Sequence, residues 1–325
     1  MSDFHRDKCL YAMRKLNDKI KDKVVGTIYH YTKAEKFKEI IKTREIWMTN
    51  ALFVNDTTEL RASLEGDIFK DIQFKNPEFS VFQNTQKKLE SKDVEDYYLA
   101  SFSKDNNSLY QFRSYGDYCI GFDAKKLKKN RFNLFKCVYK QRDIKNWIVK
   151  KDSLAEWQDD CFNNEKGQSY KRTAFLIVKS ARQAKLKSEH YELEKEIRLL
   201  VASNSSWDSG LGFSYGPEMF CEQPAIYFRK HNFSDVPYVK FFIPKKPKTR
   251  KELEKLVKNK SQIETKNIIR NMEMGQEKEL LPISTVKIGP MQNQEEALIT
   301  TKTFLHEHGY DKVEVTSSDI PYRGF

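Results

Sequence analysis

Glu192-Leu193-Glu194-Lys195-Glu196-Ile197-Arg198-Leu199-Leu200-Val201 is the stretch on which the reading of the fold turns. In an extended chain, successive side chains point to opposite faces. Leu193, Lys195, Ile197, Leu199 and Val201 then share one side, and Glu194, Glu196, Arg198 and Leu200 share the other. The first set is mostly apolar and belongs against a core. The second sets two carboxylates and a guanidinium in a row, about 7 Å between next neighbours. A surface ladder with Arg198 neutralising Glu196 accounts for this row. So does a pair of carboxylates placed for chemistry.

Outward from this strand, other segments alternate in character. Thr27 to Tyr31, Ile46 to Met48, Tyr97 to Phe102, Tyr118 to Phe122, Leu134 to Tyr139, Ala225 to Phe228, Val239 to Ile243, Val286 to Ile288 and Val313 to Val315 read as strands. Thr32 with Glu35, three residues on, reads as a capping box opening a helix with Phe37, Ile40 and Ile41 on one face. Residues 1–23, 59–89, 150–187 and 294–308 read as helical. Pro244 and Pro247 break the chain, and Thr249 with Glu252 reads as a second capping box. The fold class expected is α+β, a mixed sheet with flanking helices. The expected organisation is an N-terminal helical extension over 1–26, one mixed-sheet domain over 27–243 and 280–325, and a basic helical insertion over 244–279.

Composition narrows the function. The 325 residues are 39% apolar and carry a net charge of +12. Lys240 to Arg270 holds eleven Lys/Arg and three Asp/Glu, an excess of +8 that leaves +4 for the rest. This segment suits nucleic acid or an acidic protein as partner; a solvated lysine face explains it as well. No run approaches the ~20 apolar residues of a membrane span, and no signal peptide is evident. Five scattered cysteines without a CxxC pair suggest free thiols and a cytoplasmic location. No zinc spacing appears, and neither GxGxxG nor GxxxxGK[ST] is present.

Two further places hold chemistry-bearing side chains. His30 sits between Tyr29 and Tyr31 on the first strand, where a histidine more often braces structure than reacts. Gln111-Phe112-Arg113-Ser114-Tyr115-Gly116 mixes aromatic rings with one Arg. Such a run can stack on a planar ring and pair with a phosphate, or it can be core plus a surface Arg.

In order, these segments resemble a bacterial family catalogued as domain of unknown function number 2971. Tyr29-His30-Tyr31-Thr32 with Ile46-Trp47 resembles its "YHYT…LW", and Asn55-Asp56-x-x-Glu59 its "NDxxE". Ser101-Phe102-Ser103 resembles "CFS", Gln111 to Asp117 "QWRAYGD", and Ile120-Gly121-Phe122 "IGF". Glu194 to Arg198 resembles "EKEWR", Val236-Pro237-Tyr238 "VPY", Ile288-Gly289-Pro290 "IGP", and Ser318-x-Ile320-Pro321-Tyr322-Arg323 "SxIPYR". Phe112 and Ile197 stand where the family has tryptophan. The layout is similar in turn to that of ADP-ribosyltransferases, with a His on an early strand, an aromatic on a middle one and a Glu on a late one.

That second likeness implies NAD as substrate and a macromolecular acceptor, in a bacterial defence or toxin system. Glu196 would face the oxocarbenium-like charge, and Glu194 would orient or deprotonate the acceptor. His30 would hold the adenosine-side ribose, Tyr31 or Tyr115 would stack on nicotinamide, and Arg113 would pair with the pyrophosphate. No metal is required. Two other readings compete. One is a non-enzymatic nucleic-acid or protein-binding module. The other is a metal-dependent nuclease using Asp56, Glu59, Glu196 and Arg198.

Overall fold

The computed structural model describes residues 22–54, 97–127, 133–139, 185, 187–202, 225–231, 234–245, 264, 268, 271 and 275–321. The chain opens with β1 (Thr27–Thr32), α1 (Ala34–Thr43), β2 (Ile46–Asn50) and a 3-10 turn (Ala51–Phe53). Then come β3 (Tyr97–Ser103), α2 (Leu109–Tyr115), β4 (Tyr118–Asp123), α3 (Ala124–Leu127) and β5 (Asn133–Lys136). A 3-10 segment (Glu189–Glu194) leads into β6 (Glu196–Ala202). β7 (Tyr227–His231), β8 (Ser234–Phe241), β9 (Ile283–Ile288), α4 (Gln294–Glu307) and β10 (Glu314–Ser317) complete the order.

These ten strands form one sheet in the order β10-β9-β4-β1-β3-β2-β8-β7, with β6 on β3 and β5 on β6. Only β9 and β10 run parallel; the other pairs are antiparallel. The architecture is therefore α+β, a large mixed open sheet with few helices among the described residues. β3 is where the sheet divides. β6 follows one of its edges from Tyr97↔Ala202 to Ser103↔Glu196. Its other edge is shared, Tyr98 and Leu99 facing β2 and Ser103 facing β1.

Apolar periodicity explains the helical layer. Phe37, Ile40 and Ile41 fall on one face of α1 and are buried. They share one core with Ile28, Ile120, Phe122, Ile197 and Leu199 of the sheet and Leu305 of α4. Phe37 stacks on Tyr118 at 4.7 Å and 13°. Each such side chain contributes about 1.5–3 kcal/mol by leaving water. None of the described helices is long and apolar enough to cross a membrane.

Several expectations need correction. The capping box at Thr32 does not form: Thr32 ends β1, and Lys33 is the N-cap without a side-chain cap bond. Sheet pairing opposite Tyr118 keeps Thr32 extended, so its place in the strand overrides the local cap. Residues 192–195 are not strand. Lys195 sits in the left-handed region (φ 45°), its N–H donating to the Glu192 carbonyl, and β6 starts only at Glu196. Leu193 is consequently 66% exposed instead of packed in the core. Further along, Ile197, Leu199 and Val201 do join the core. The opposite face is also covered, because Glu196, Arg198 and Leu200 are all buried. β8 begins before Pro237, which pairs opposite Phe228, although Val239 was the expected start.

Residues 22–26 are not helical, and Lys187 lies outside any helix. The expected helices over 1–21, 59–89 and most of 150–187 lie outside the described residues, as do Thr249 and Glu252. At the ends of the expected insertion, Pro244 bridges Lys278, Lys245 N–H donates to Glu277 and Glu279 N–H to Ile243. The chain thus leaves and returns at one place.

Gly116, between α2 and β4, has φ +126°, and a Cβ there would lie 2.6 Å from the Lys33 nitrogen and the Thr32 carbonyl carbon. Main chain cannot give way as a side-chain tip can. Gly116→Ala is expected to destabilise by about 2 kcal/mol or more. A denaturant midpoint unchanged from the parent protein would contradict this.

Candidate functional site

Glu194 and Glu196 lie on either side of the left-handed Lys195, at the entrance to β6. The main chain that carries them is tied on every side. Ser103 Oγ and Gln111 Nε2 donate to the Glu194 carbonyl at 2.7 and 2.9 Å. Glu196 N–H donates to the Tyr139 hydroxyl at 2.6 Å, and the Glu196 carbonyl accepts from Cys137 N–H at 2.9 Å. Four elements therefore fix the pair: the end of β3, α2, the 3-10 segment and the chain after β5.

Between the carboxylates stands one ammonium. Lys187 Nζ lies 2.6 Å from Glu194 Oε2 and 2.6 Å from Glu196 Oε2. Arg198 approaches Glu196 Oε2 at 3.4 Å, and Cys137 Sγ does so at the same distance. Tyr115 donates its hydroxyl to Glu194 Oε1 at 2.5 Å. Two cations and two anions balance, and the two glutamates are each only 3% exposed.

Burial acts against the charge on Lys187, but the carboxylates of Glu196 and Glu194 outweigh it and raise its pKa. Burial, and then the hydrogen bond to Glu194, raises Tyr115 well above an ordinary phenol. Burial likewise lifts the Cys137 thiol, with Glu196 adding to the effect.

The two oxygens of Glu196 differ in their surroundings. Glu196 Oε2 gathers Lys187, Arg198 and Cys137. Glu196 Oε1 is buried and has no hydrogen-bond partner among the described residues. A buried polar atom left in this way costs about 1–3 kcal/mol, so a reason for its persistence is called for.

Of the residues expected at the site, Glu194, Glu196 and Tyr115 come together. His30 does not. Ser103 pairs with Tyr29 on one side and Glu196 on the other, so these three share a face. His30 is on the opposite face, its ring 5.6 Å from that of Phe102. Its Nδ1 hydrogen-bonds the Ser101 carbonyl at 2.9 Å, the main-chain group that falls between β1 and β2 where the sheet divides. Tyr31 is buried and packs edge-on against Phe112 at 4.9 Å. Its hydroxyl donates to the Asp105 carbonyl and accepts from Ser108 N–H, bracing the loop between β3 and α2. Arg113 is exposed on the last turn of α2.

Tyr139 and Cys137 carried no signal in the sequence, since they lie 57 and 59 residues before Glu196, and Lys187, seven residues before Glu194, belongs to no motif that marked it. Ser103 and Gln111 were visible only as members of short motifs. Among the described residues no three His, Cys, Asp or Glu side chains gather as a metal ion needs. Asp56 and Glu59 lie outside the described residues. No protein-family model, curated protein or solved structure matches the chain.

Burial lowers the His30 pKa below 6.5. The unfolded chain therefore takes up the proton first. His30 contributes its full stability above pH 6.5, and that contribution fades as pH falls toward the lower folded value. Thermal melts from pH 8 to 5 should show this loss, and His30→Gln should flatten it; identical profiles would exclude the assignment. Cys119 is pushed up to about 12 by burial, and Cys137 is raised as well. At pH 8 iodoacetamide should modify both only after unfolding in guanidinium, as read by peptide mass mapping. Fast labelling of Cys137 in the folded protein would mean that the carboxylate site is open.

Proposed function

We propose that this protein is an NAD-dependent mono-ADP-ribosyltransferase acting on a macromolecular acceptor, with Glu196 as the carboxylate facing the reacting ribose. The observation that carries the reading is the unpartnered Oε1 of Glu196, beside a second carboxylate and a half-buried tyrosine. A ribosyl centre that gains positive charge is stabilised by an anionic oxygen aimed at it in a water-poor setting. Oε1 is such an oxygen, and it is also free to accept a ribose hydroxyl. Because Oε2 is anchored by Lys187 and Arg198, the carboxylate is held in place before the charge develops.

The reaction breaks the bond between nicotinamide and ribose C1′, its electron pair leaving with nicotinamide, and joins C1′ to an acceptor oxygen or nitrogen. Glu194 takes the acceptor's proton. Tyr115, half-buried and donating to Glu194, offers the ring beside the carboxylates. Arg113 lies two residues before it on the exposed turn and can meet a phosphate. His30 and Tyr31, already committed to the fold, have no part in this scheme. The acceptor, nucleic acid or acidic protein, is assigned to the basic segment Lys240 to Arg270.

A second reading has its own observation. A charge-balanced quartet this deeply buried also serves as a structural clamp, in a chain that binds nucleic acid or protein without turnover. Purified protein incubated with adenylate-labelled NAD and a bacterial lysate separates the two. The transferase reading expects label on a macromolecule, reduced about a hundredfold or more by Glu196→Gln, with both proteins shown to be folded by thermal melts. Equal labelling by both proteins removes Glu196 from the chemistry. Absence of labelling and of nicotinamide release favours the binding module, whose affinity should fall steeply with salt.

A further inference from the structure

Tyr139 takes the place of a main-chain partner beside the carboxylates. Just after β5, Cys137 N–H donates to the Glu196 carbonyl at 2.9 Å. In a regular antiparallel pair the return bond runs from Glu196 N–H to the Cys137 carbonyl. Here the chain turns toward residues 185 and 187 instead. Val138 N–H donates to the Lys185 carbonyl at 2.7 Å, and Lys187 N–H to the Val138 carbonyl at 3.2 Å. Tyr139 reaches back, and its hydroxyl oxygen accepts the Glu196 N–H at 2.6 Å.

A main-chain N–H can only donate, so the Tyr139 oxygen is committed as an acceptor and its own proton points elsewhere. No group among the described residues takes that proton. Burial first, then Cys137 and Glu196, hold this phenol far above its ordinary pKa, so it keeps the proton at neutral pH. Glu196 Oε1 is the complementary half, a buried acceptor without a partner among the described residues. Its placement does not rest on Tyr139. Lys187, Arg198 and Cys137 hold Oε2, and pairing with Ser103 holds the strand. One uncommitted donor and one uncommitted acceptor therefore stand at the same residue, the first on its main chain and the second at its side-chain tip.

We infer that Tyr139 is a further binding residue of this site: its O–H and Glu196 Oε1 together hold one hydroxyl group of the ligand. The occupant has to accept a hydrogen bond from Tyr139 and donate one to Oε1. A carbonyl or ether oxygen has no proton to give, and an ammonium has no lone pair to offer. A hydroxyl does both at a single atom. The inference rests on the transferase reading, which sets Glu196 against ribose C1′, and it names the group: the 2′-hydroxyl, on the carbon next to C1′. The site then distinguishes ribose from 2′-deoxyribose at the nicotinamide end of the dinucleotide. A site built around a hydroxyl rejects the analogue lacking it, because donor and acceptor are then both left unpaired.

Calorimetry on the full-length protein tests this with two ligands, NAD and the analogue whose nicotinamide-bearing ribose lacks the 2′-hydroxyl. The parent protein should bind NAD at least about tenfold more tightly than the analogue. Tyr139→Phe keeps the ring and removes the hydroxyl. It should lose about fivefold or more in NAD affinity and less than about twofold for the analogue. Tyr139→His, a shorter ring with a polar nitrogen, is the second variant; it should show the same selective loss if thermal melts find that the Phe variant does not fold. Cys137 should stay as protected from iodoacetamide in the variant as in the parent protein. Faster labelling there would mean that Glu196 has shifted, and would overturn the direct contact. Equal binding of NAD and the analogue by the parent protein would overturn the hydroxyl pair, which then holds water alone. Equal weakening of both ligands by the variant would reduce Tyr139 to a structural part. In either case nicotinamide release by the parent protein leaves the transferase reading standing. If the parent protein binds neither dinucleotide, both readings fall together.

Discussion

β3 is the member on which the rest of the sheet depends. A strand has two edges, and β3 serves three neighbours with them: β6 along one, β2 and β1 in succession along the other. Through β2 it carries β8 and β7, and through β1 it carries β4, β9 and β10. Dividing an edge leaves main-chain groups without a strand opposite, and such groups must find other partners. His30 supplies one of them by bonding the Ser101 carbonyl. Two residues further on, the Ser103 side chain reaches the Glu194 carbonyl and also accepts from Asp105 N–H. The last residue of β3 therefore fixes both the carboxylate segment and the loop into α2.

The carboxylate site is costly in physical terms. Each charge moved out of water loses several kcal/mol of hydration, and only tight, well-bonded pairing returns it. Lys187, Arg198, Tyr115 and Cys137 supply that pairing for three of the four carboxylate oxygens. Apolar groups of similar volume often serve stability as well as a buried ion pair does, whereas removing one partner of such a pair is strongly destabilising. A third buried carboxylate, Glu45, is bonded by Lys278, Lys240 and Trp47, and it joins the start of β2 to the residue where the basic segment returns.

Much of the fold was legible because it follows from periodicity. The strands around Ile28, Ile120, Ile197 and Val286 and the helices carrying Phe37 and Leu305 lie where alternation or three-to-four spacing places them. The misreadings are local rules overruled by distant partners. Thr32 offers a capping box but is held extended by pairing with Tyr118. Lys195 continues an apparent alternation, yet it turns left-handed because Ser103 and Gln111, far away in sequence, claim the carbonyl before it. Alternation cannot register a demand made from another part of the chain.

The same division runs through the site. The sequence by itself determined the strand that carries Glu196, the core face formed by Ile197 and Leu199, the short spacing that keeps Glu194 beside Glu196, and the nearness of Tyr115 to a turn at Gly116, because these are properties of adjacent residues. Only the tertiary structure decided that His30 faces away from the glutamates, since facing depends on which strands pair with β3 and in what register. Only the tertiary structure brought Cys137 and Tyr139 to the carboxylates. Those contacts join segments whose sequences bear no mark of one another, and the burial that gives them their strength exists only once the chain has folded.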